Sequence, residues 1–172
     1  MKQLILIVSF ILTITIFAIP AFAESDTGKS SIGLNYTMTN DGWGTRGSGL
    51  GVQLNISTKK YTDAPIDIRV AYMNLNGTYS PSGIAWGASV IGIACILNWE
   101  NPNKNYWITP YAGLGVASIT IDTTAVGVTK SLFSPVTTVG TKINTGTDFE
   151  PYIELNAITG NMTGTLGMNY KF

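Results

Sequence analysis

Short segments in which apolar and polar residues alternate follow one another from Ser31 to the end of the chain. In the first of them, Ile32, Leu34 and Tyr36 alternate with small or polar residues. Successive side chains of a β-strand point to opposite faces, so each segment has one apolar face and one polar face. No segment in this part of the chain shows the 3.6-residue period of an amphipathic helix. The pattern therefore predicts an all-β protein.

Clusters of Gly, Asn, Thr, Ser and Pro divide this sequence into eight predicted strands. They span residues 31–38, 48–57, 66–74, 83–97, 106–119, 132–144, 149–158 and 164–172. The fourth is apolar on both faces, and we attribute this to a β-bulge near residues 90–92 that returns the apolar set to one face. Joined consecutively, the strands predict an eight-stranded antiparallel up-and-down barrel whose interior is filled by side chains.

The first 23 residues have the pattern of a secretory signal peptide. Lys2 gives a basic start, residues 4–19 form an apolar run, and Ala21-Phe22-Ala23 is a small-residue cleavage sequence. The run of about 16 residues is short of the roughly 20 that a membrane-spanning helix needs. We therefore predict a cleaved signal peptide over residues 1–23, a barrel domain over residues 24–172, and no transmembrane helix after cleavage.

The composition excludes several functions. Ten basic and ten acidic residues cancel, so a basic face for nucleic acid is not expected. The chain has no histidine and one cysteine, which argues against a zinc site or an internal disulfide, and we predict no metal and no cofactor. A serine without an adjacent base is a weak nucleophile. Glu150 and Glu154 lie about 13 Å apart on one strand face, too far for joint acid–base work. We predict that the protein is not an enzyme.

The alternation defines two faces but not which of them points inward. A soluble barrel buries its apolar face, whereas an outer-membrane barrel turns it to lipid. The polar strand faces carry mostly small neutral residues, which suits a narrow lumen better than a water-exposed surface. The few charges on these faces are of both signs, and we predict ion pairs in the lumen. The candidates are Asp67 and Arg69, two residues apart, Lys142, and Glu154 and Lys171 on adjoining strands.

Aromatic residues gather at two levels. Trp99, Tyr106, Trp107, Phe149, Tyr152, Tyr170 and Phe172 lie near one end of the predicted strands, and Trp43, Tyr72, Tyr79 and Trp86 near the other. Amphipathic rings favour the two interfaces of a bilayer, and transmembrane barrels carry an aromatic girdle at each. The aromatic residues therefore favour a membrane barrel.

Two segments carry a resemblance to a known class. Leu166–Phe172 alternates and ends on phenylalanine, and its Tyr170 and Phe172 are similar to the assembly signal of Gram-negative outer-membrane proteins. Pro110–Val116 is similar to a segment common in small outer-membrane barrels. The chain after residue 23 resembles the eight-stranded class that includes the transmembrane domain of outer membrane protein A, the opacity proteins and the adhesion/invasion barrels. The resemblance implies a transmembrane β-barrel in the cell outer membrane. Its partners would be membrane lipid and, through the last strand, the assembly machinery.

The resemblance places both termini in the periplasm. The predicted outer loops are then residues 39–47, 75–82, 120–131 and 159–163, and the periplasmic turns are residues 58–65, 98–105 and 145–148. Outer loops are usually the longer ones in this class. Two of these turns are no shorter than the outer loops, so the chain departs from the class in this respect.

We predict a non-enzymatic outer-membrane barrel of the cell envelope with a structural or surface-interaction, adhesin-like role through its extracellular loops. Trp43 and Arg46 are the candidate contacts to a host or cell-surface ligand, since exposed Trp and Arg often dominate binding energy. Trp43 is equally suited to anchoring at the membrane interface. Two alternatives stay open. One is a narrow passive, porin-like channel, which a lumen filled by side chains disfavours. The other is a secreted soluble barrel that binds a small apolar ligand.

Overall fold

The structure is a computed structural model of the chain. It describes residues 29–40, 45–59, 61, 64–80, 82–99, 107–123, 128–158 and 161–172. The predicted signal peptide over residues 1–23 lies outside the described residues, as do Trp43 and Tyr106. In the described ranges no helix is long and apolar enough to cross a membrane.

Eight antiparallel strands form one closed barrel. They are β1 (Ser31–Asn40), β2 (Thr45–Ser57), β3 (Ile66–Tyr79), β4 (Ile84–Asn98), β5 (Ile108–Thr123), β6 (Val128–Ile143), β7 (Phe149–Ile158) and β8 (Asn161–Lys171). Each strand pairs with the next one in sequence, and β8 pairs with β1 to close the sheet. Closure gives every strand a paired neighbour on both sides, although residues 128–135 of β6 extend beyond its pairing with β7. The predicted eight-stranded up-and-down barrel is confirmed.

The apolar face of the sheet points outward near the end of the barrel where β1 begins and β8 ends, which we call the proximal end. Leu34 is 69% exposed, and Ile68 and Met168 are also exposed on the outer surface. Asn35 and Gln53 point into the lumen and are buried. This arrangement is the reverse of a soluble barrel, as the sequence analysis predicted.

Toward the opposite, distal end, the two faces of β3 exchange their character. In its proximal part Ile68 and Val70 face outward while Arg69 faces the lumen. In its distal part Asn74 faces outward, and Leu75 is buried in the lumen. Strands β4, β5 and β6 change in the same way. Their distal lumen contains an apolar cluster made of Leu75, Trp86, Ala88, Val90, Ala117, Ile119 and Ile158. The distal half of this wall is therefore polar outside and apolar inside.

Strand β4 runs through this change without a bulge. Residues 84–97 pair one to one with residues 79–66 of β3, and residues 87–98 pair one to one with residues 122–111 of β5. The β-bulge predicted near residues 90–92 is therefore wrong. The apolar residues of β4 change parity because the inside and the outside of the barrel change polarity around a continuous strand.

The strands extend farther at the distal end than the sequence indicated. Residues 41–44, 80–83, 124–127 and 159–160 connect them there, against residues 58–65, 99–107 and 144–148 at the proximal end. The predicted outer loops were too long because regular apolar–polar alternation stops where the outer surface becomes polar, although backbone pairing continues. The connections at the distal end are thus the shorter set.

Aromatic residues surround the proximal end, as predicted. The exposed ones are Trp99, Trp107, Phe149 and Tyr170. Tyr152, which was assigned to the same girdle, instead points into the lumen and is almost fully buried. Trp86 was assigned to a distal girdle but is also turned inward, where its ring lies 6.3 Å from that of Tyr79. Trp86 therefore does not contribute to an outward-facing aromatic girdle at the distal end.

Candidate functional site

The middle of the lumen is closed by a buried ion pair. Arg69 on β3 and Glu154 on β7 pair through Nη1 and Oε2. Arg69 Nε donates to Asn55 Oδ1 at 2.8 Å. The Tyr111 hydroxyl and Asn156 Nδ2 each donate to the Glu154 carboxylate at 2.8 Å. Hydrogen bonds to both partners offset the loss of hydration that a buried ion pair suffers. The network is therefore an integral part of the packing inside the barrel.

A second pair lies closer to the proximal end. Lys142 Nζ is 3.2 Å from Asp67 Oδ2 and donates to Asn98 Oδ1 at 2.7 Å. Asn98 Nδ2 donates in turn to Asp67 Oδ2 at 2.8 Å. The Tyr111 ring connects the two networks, because Lys142 Nζ and Arg69 Cζ lie 5.5 and 5.3 Å from its centroid. Both distances suit cation–π attraction.

The partners within these pairs differ from those that sequence proximity suggested. Glu154 pairs with Arg69 on the far side of the lumen. Asp67 pairs with Lys142 and not with Arg69, which lies two residues away in sequence. Lys171 pairs with Glu150 at 2.8 Å. Glu150 was not among the predicted ion-pair candidates, although it shares the inward face of β7 with Glu154. In the part of the chain that the structure describes, no group of three or more His, Cys, Asp or Glu side chains is placed to hold a metal ion.

Three large aromatic rings inside the barrel each cover a glycine on the neighbouring strand. The register pairs are Tyr111 with Gly140, Tyr152 with Gly167, and Trp86 with Gly77. A Cβ atom on Gly140 would lie 2.5 Å from Tyr111 Cζ, and one on Gly77 would lie 2.6 Å from Trp86 Cζ2. A side chain at these positions would collide with the ring. The glycines therefore make room for three rings in a narrow lumen.

Little open space remains in the middle of the lumen. The cavity there has a volume of about 50 Å³ and is bordered by Asn35, Gln53, Arg69 and Glu154. Since a cavity needs roughly 10–15 Å³ of such volume per water molecule, this one holds a few waters. The middle of the lumen is therefore packed, and both polar and apolar side chains border the small space that remains.

An open concave region of about 930 Å³ lies against the distal part of the outer wall, across β3–β6. We call this part of the wall the distal wall. Its outward polar side chains include Asn74, Asn76, Ser89, Ser118, Thr120, Asp122 and Ser131. Arg46, a candidate contact residue, is exposed on β2 and lies opposite Thr78 of β3, at the border of this surface. The other candidate, Trp43, lies outside the described residues.

Solved structures with the same fold are small barrels of bacterial outer membranes. Ail, the attachment invasion locus protein of Yersinia pestis, is 13% identical with a TM-score of 0.53, over 85% of this chain and 99% of Ail. Neisserial surface protein A is 13% identical with a TM-score of 0.59, over 84% of this chain and 96% of that protein. OprG of Pseudomonas aeruginosa is 11% identical with a TM-score of 0.58, over 85% and 97%.

No model of a known protein family matches the sequence, and no curated protein matches it. At 11–13% identity, the likeness to the solved barrels establishes the fold alone. The chain has the eight-stranded fold of small outer-membrane β-barrels, and the predicted resemblance is confirmed.

Proposed function

We propose that this chain is a non-conducting, non-enzymatic barrel of the outer membrane with a structural or surface-interaction role. It is exported with the signal peptide predicted over residues 1–23 and contacts lipid through its apolar outer surface. The observation that carries the proposal is the exchange of polarity across a continuous sheet. An apolar exterior suits lipid, and the polar exterior of the distal wall suits water or polar headgroups.

The distal wall is the proposed contact surface, rather than the loops. The connections at the distal end are residues 41–44, 80–83, 124–127 and 159–160, so none is longer than four residues. The wall instead offers amide and hydroxyl groups, with Arg46 at its border and Asp122 within it. Ail has been solved in complex with the heparin analogue sucrose octasulfate. Because a cation and an anion are present together here, we propose a neutral polar ligand on a host or cell surface rather than a polyanion.

Conduction is the less favoured alternative. The Arg69–Glu154 pair and the rings of Tyr111 and Tyr152 fill the middle of the lumen, and the space left there is about 50 Å³. We expect the purified barrel to give no steady openings in a planar lipid bilayer. Steady openings above noise would favour the channel and argue against a purely structural or adhesive role.

A secreted soluble barrel is disfavoured by the outer surface. Leu34, Leu114 and Phe133 are 69%, 69% and 84% exposed there. A large exposed apolar surface promotes aggregation in water but is suited to lipid. We expect the protein in the membrane fraction, extractable only with detergent, and with heat-modifiable mobility on gels. Recovery from a detergent-free periplasmic extract would support the soluble alternative.

Cysteine labelling of intact cells tests which part of the barrel lies outside lipid. The native Cys95 is exposed on the outer face of β4, so the experiment uses a Cys95→Ser background. Thr120→Cys reports on the distal wall, Leu114→Cys on the apolar surface of the same strand, and Thr147→Cys on a proximal turn. The reagent is a membrane-impermeant maleimide.

The proposal predicts labelling of Thr120→Cys in intact cells and of Thr147→Cys only after the outer membrane is permeabilised. Leu114→Cys should stay unlabelled in both states, because lipid covers it. Labelling of Thr147→Cys but not Thr120→Cys in intact cells would reverse the proposed orientation. Labelling of Leu114→Cys would contradict a lipid-covered surface at that position.

A further inference from the structure

A cavity opens inside the distal end of the barrel, beyond the polar networks of the lumen. Its volume is about 200 Å³, four times that of the cavity in the middle of the lumen. The apolar lining includes Leu75, Ala88, Val90 and Ile119. No ionised side chain of the described residues lines it. This distal cavity therefore differs from the cavity in the middle of the lumen in its size and in having no ionised side chain among its described lining residues.

Its dimensions suit a small organic molecule. An apolar protein cavity of roughly 150 Å³ stays dry and takes up benzene. At about 200 Å³, the distal cavity has room for a molecule of one or two rings.

Two polar groups in the lining lack partners. Trp86 Nε1 and Thr163 Oγ1 are both buried, and neither has a hydrogen-bond partner among the described residues. The Trp86 ring lies close against Gly47 and Gly77, since a Cβ atom on either glycine would lie 2.6 Å from its Cζ2. Buried donors are nearly always paired in native proteins, so an acceptor atom brought beside Trp86 Nε1 or Thr163 Oγ1 would satisfy a group that has no partner among the described residues.

We propose that the distal cavity binds an uncharged, mainly apolar molecule of one or two rings that carries an acceptor oxygen. The oxygen accepts a hydrogen bond from Trp86 Nε1 or from the Thr163 hydroxyl, and the rings contact the apolar lining. A charged ligand is excluded because no charged side chain of the described lining would compensate its lost hydration. This site lies inside the barrel and is independent of the surface role proposed for the distal wall.

Acetophenone and ethylbenzene form a matched pair of probes. They have nearly the same shape, and only acetophenone has a carbonyl oxygen. The full barrel, reconstituted in lipid nanodiscs, is labelled with ¹⁵N at its indole nitrogens, and each probe is titrated while the indole resonances are recorded. Trp99 and Trp107 are exposed at the proximal end and report on probe that merely dissolves in the bilayer.

Acetophenone should shift the Trp86 resonance saturably and bind roughly fivefold more tightly than ethylbenzene, the gain expected from one net hydrogen bond. Thr163→Val, which removes the hydroxyl with little change of shape, should weaken acetophenone and leave ethylbenzene unchanged. Ala88→Leu fills the cavity and should abolish both shifts. Heat-modifiable gel mobility checks that each variant is folded.

Three results would overturn the proposal. The first is a Trp86 resonance that does not respond saturably to either probe in the wild-type barrel. The second is equal affinity for both probes together with no effect of Thr163→Val, which would remove the acceptor oxygen from the argument. The third is unchanged binding in a folded Ala88→Leu variant. Should Ala88→Leu fail to fold, Thr163→Val and the probe pair still decide the outcome.

Discussion

Arg69 and Glu154 brace the barrel across its diameter. They are 85 residues apart in sequence, and β3 and β7 lie four strands apart in a closed sheet of eight. Their side chains are each 6% exposed, so the charges meet away from water. The pair links opposite walls that share no backbone hydrogen bond, and it also occupies the centre of the lumen.

Removal of one partner should destabilise the barrel strongly. Arg69→Ala leaves the Glu154 carboxylate buried without its counter-charge, at an expected cost of about 3–5 kcal/mol in the free energy of unfolding. The double variant Arg69→Met/Glu154→Gln removes both charges and should recover much of this loss. Urea unfolding of the refolded barrel in lipid vesicles gives both values. A double variant less stable than Arg69→Ala would contradict the account.

The surface pair Lys29–Asp148 serves as the matched control. Its nitrogen and oxygen lie 2.7 Å apart, but the two side chains are 50% and 49% exposed. Asp148→Asn should cost less than about 1 kcal/mol, because water and salt screen an exposed pair. A loss as large as that of Arg69→Ala would mean that burial is not what gives the central pair its importance.

The glycine beneath Tyr111 should not tolerate a methyl group. Gly140→Ala places a Cβ atom 2.5 Å from Tyr111 Cζ and should cost about 1–3 kcal/mol as the ring is displaced. Gly92→Ala is the control, because its Cβ would meet only Val116 O at 3.5 Å and Ala117 Cβ at 3.6 Å. It should leave stability unchanged or raise it by up to about 1 kcal/mol. The same urea titration compares them, and equal losses would contradict the packing argument.

The strands were predictable where one side of the sheet meets an apolar environment. A wall that faces lipid needs an apolar residue at every second position, and Leu34, Leu114 and Met168 follow that rule. The eight strands and their order could therefore be predicted from alternation alone. The outward direction of the apolar face could also be predicted from the sequence, because the opposite face carried small neutral residues and few charges.

The distal half could not be predicted in the same way. Once the strand leaves the apolar belt, its outer face turns polar, and apolar residues move to the inner face. In β4 this shift places Val90 inside and Ile91 outside, which in sequence is indistinguishable from a bulge. Only the continuous register of the neighbouring strands separates the two interpretations.

The ion-pair partners in the lumen also could not be predicted from the sequence. Alternation identifies which charges point inward, and it selected Arg69, Lys142 and Glu154. Which of them meet depends on the diameter of the barrel and the stagger of its strands. Sequence proximity therefore suggested Asp67 as a neighbour of Arg69, whereas the structure pairs Arg69 with a residue on the opposite wall.

Deletion of Phe172 should impair assembly in cells more than stability. In the folded barrel its backbone N–H donates to Ser30 O at 2.9 Å, a single hydrogen bond at the margin of the sheet. We expect the deleted protein to refold into lipid vesicles in vitro but to be missing from the outer membrane of cells. Phe149→Ala removes another exposed proximal ring and should still insert. Normal insertion without Phe172 would count against the assembly-signal hypothesis.

Two lysine substitutions on the outer face of β3 test the change of polarity directly. Val70 faces outward within the apolar surface, and Asn76 faces outward from the distal wall of the same strand. Lysine on a lipid-facing position costs about 2–4 kcal/mol at the bilayer midplane and about 0–1 kcal/mol near its interfaces. Val70→Lys should therefore reduce the folded, heat-modifiable fraction in lipid vesicles, whereas Asn76→Lys should match the wild type. In a soluble barrel, lysine would be tolerated at both positions. If both lysine substitutions were tolerated equally, the outer face of β3 would not contact lipid. If both reduced the folded fraction equally, the lipid-contacting surface would include the distal wall.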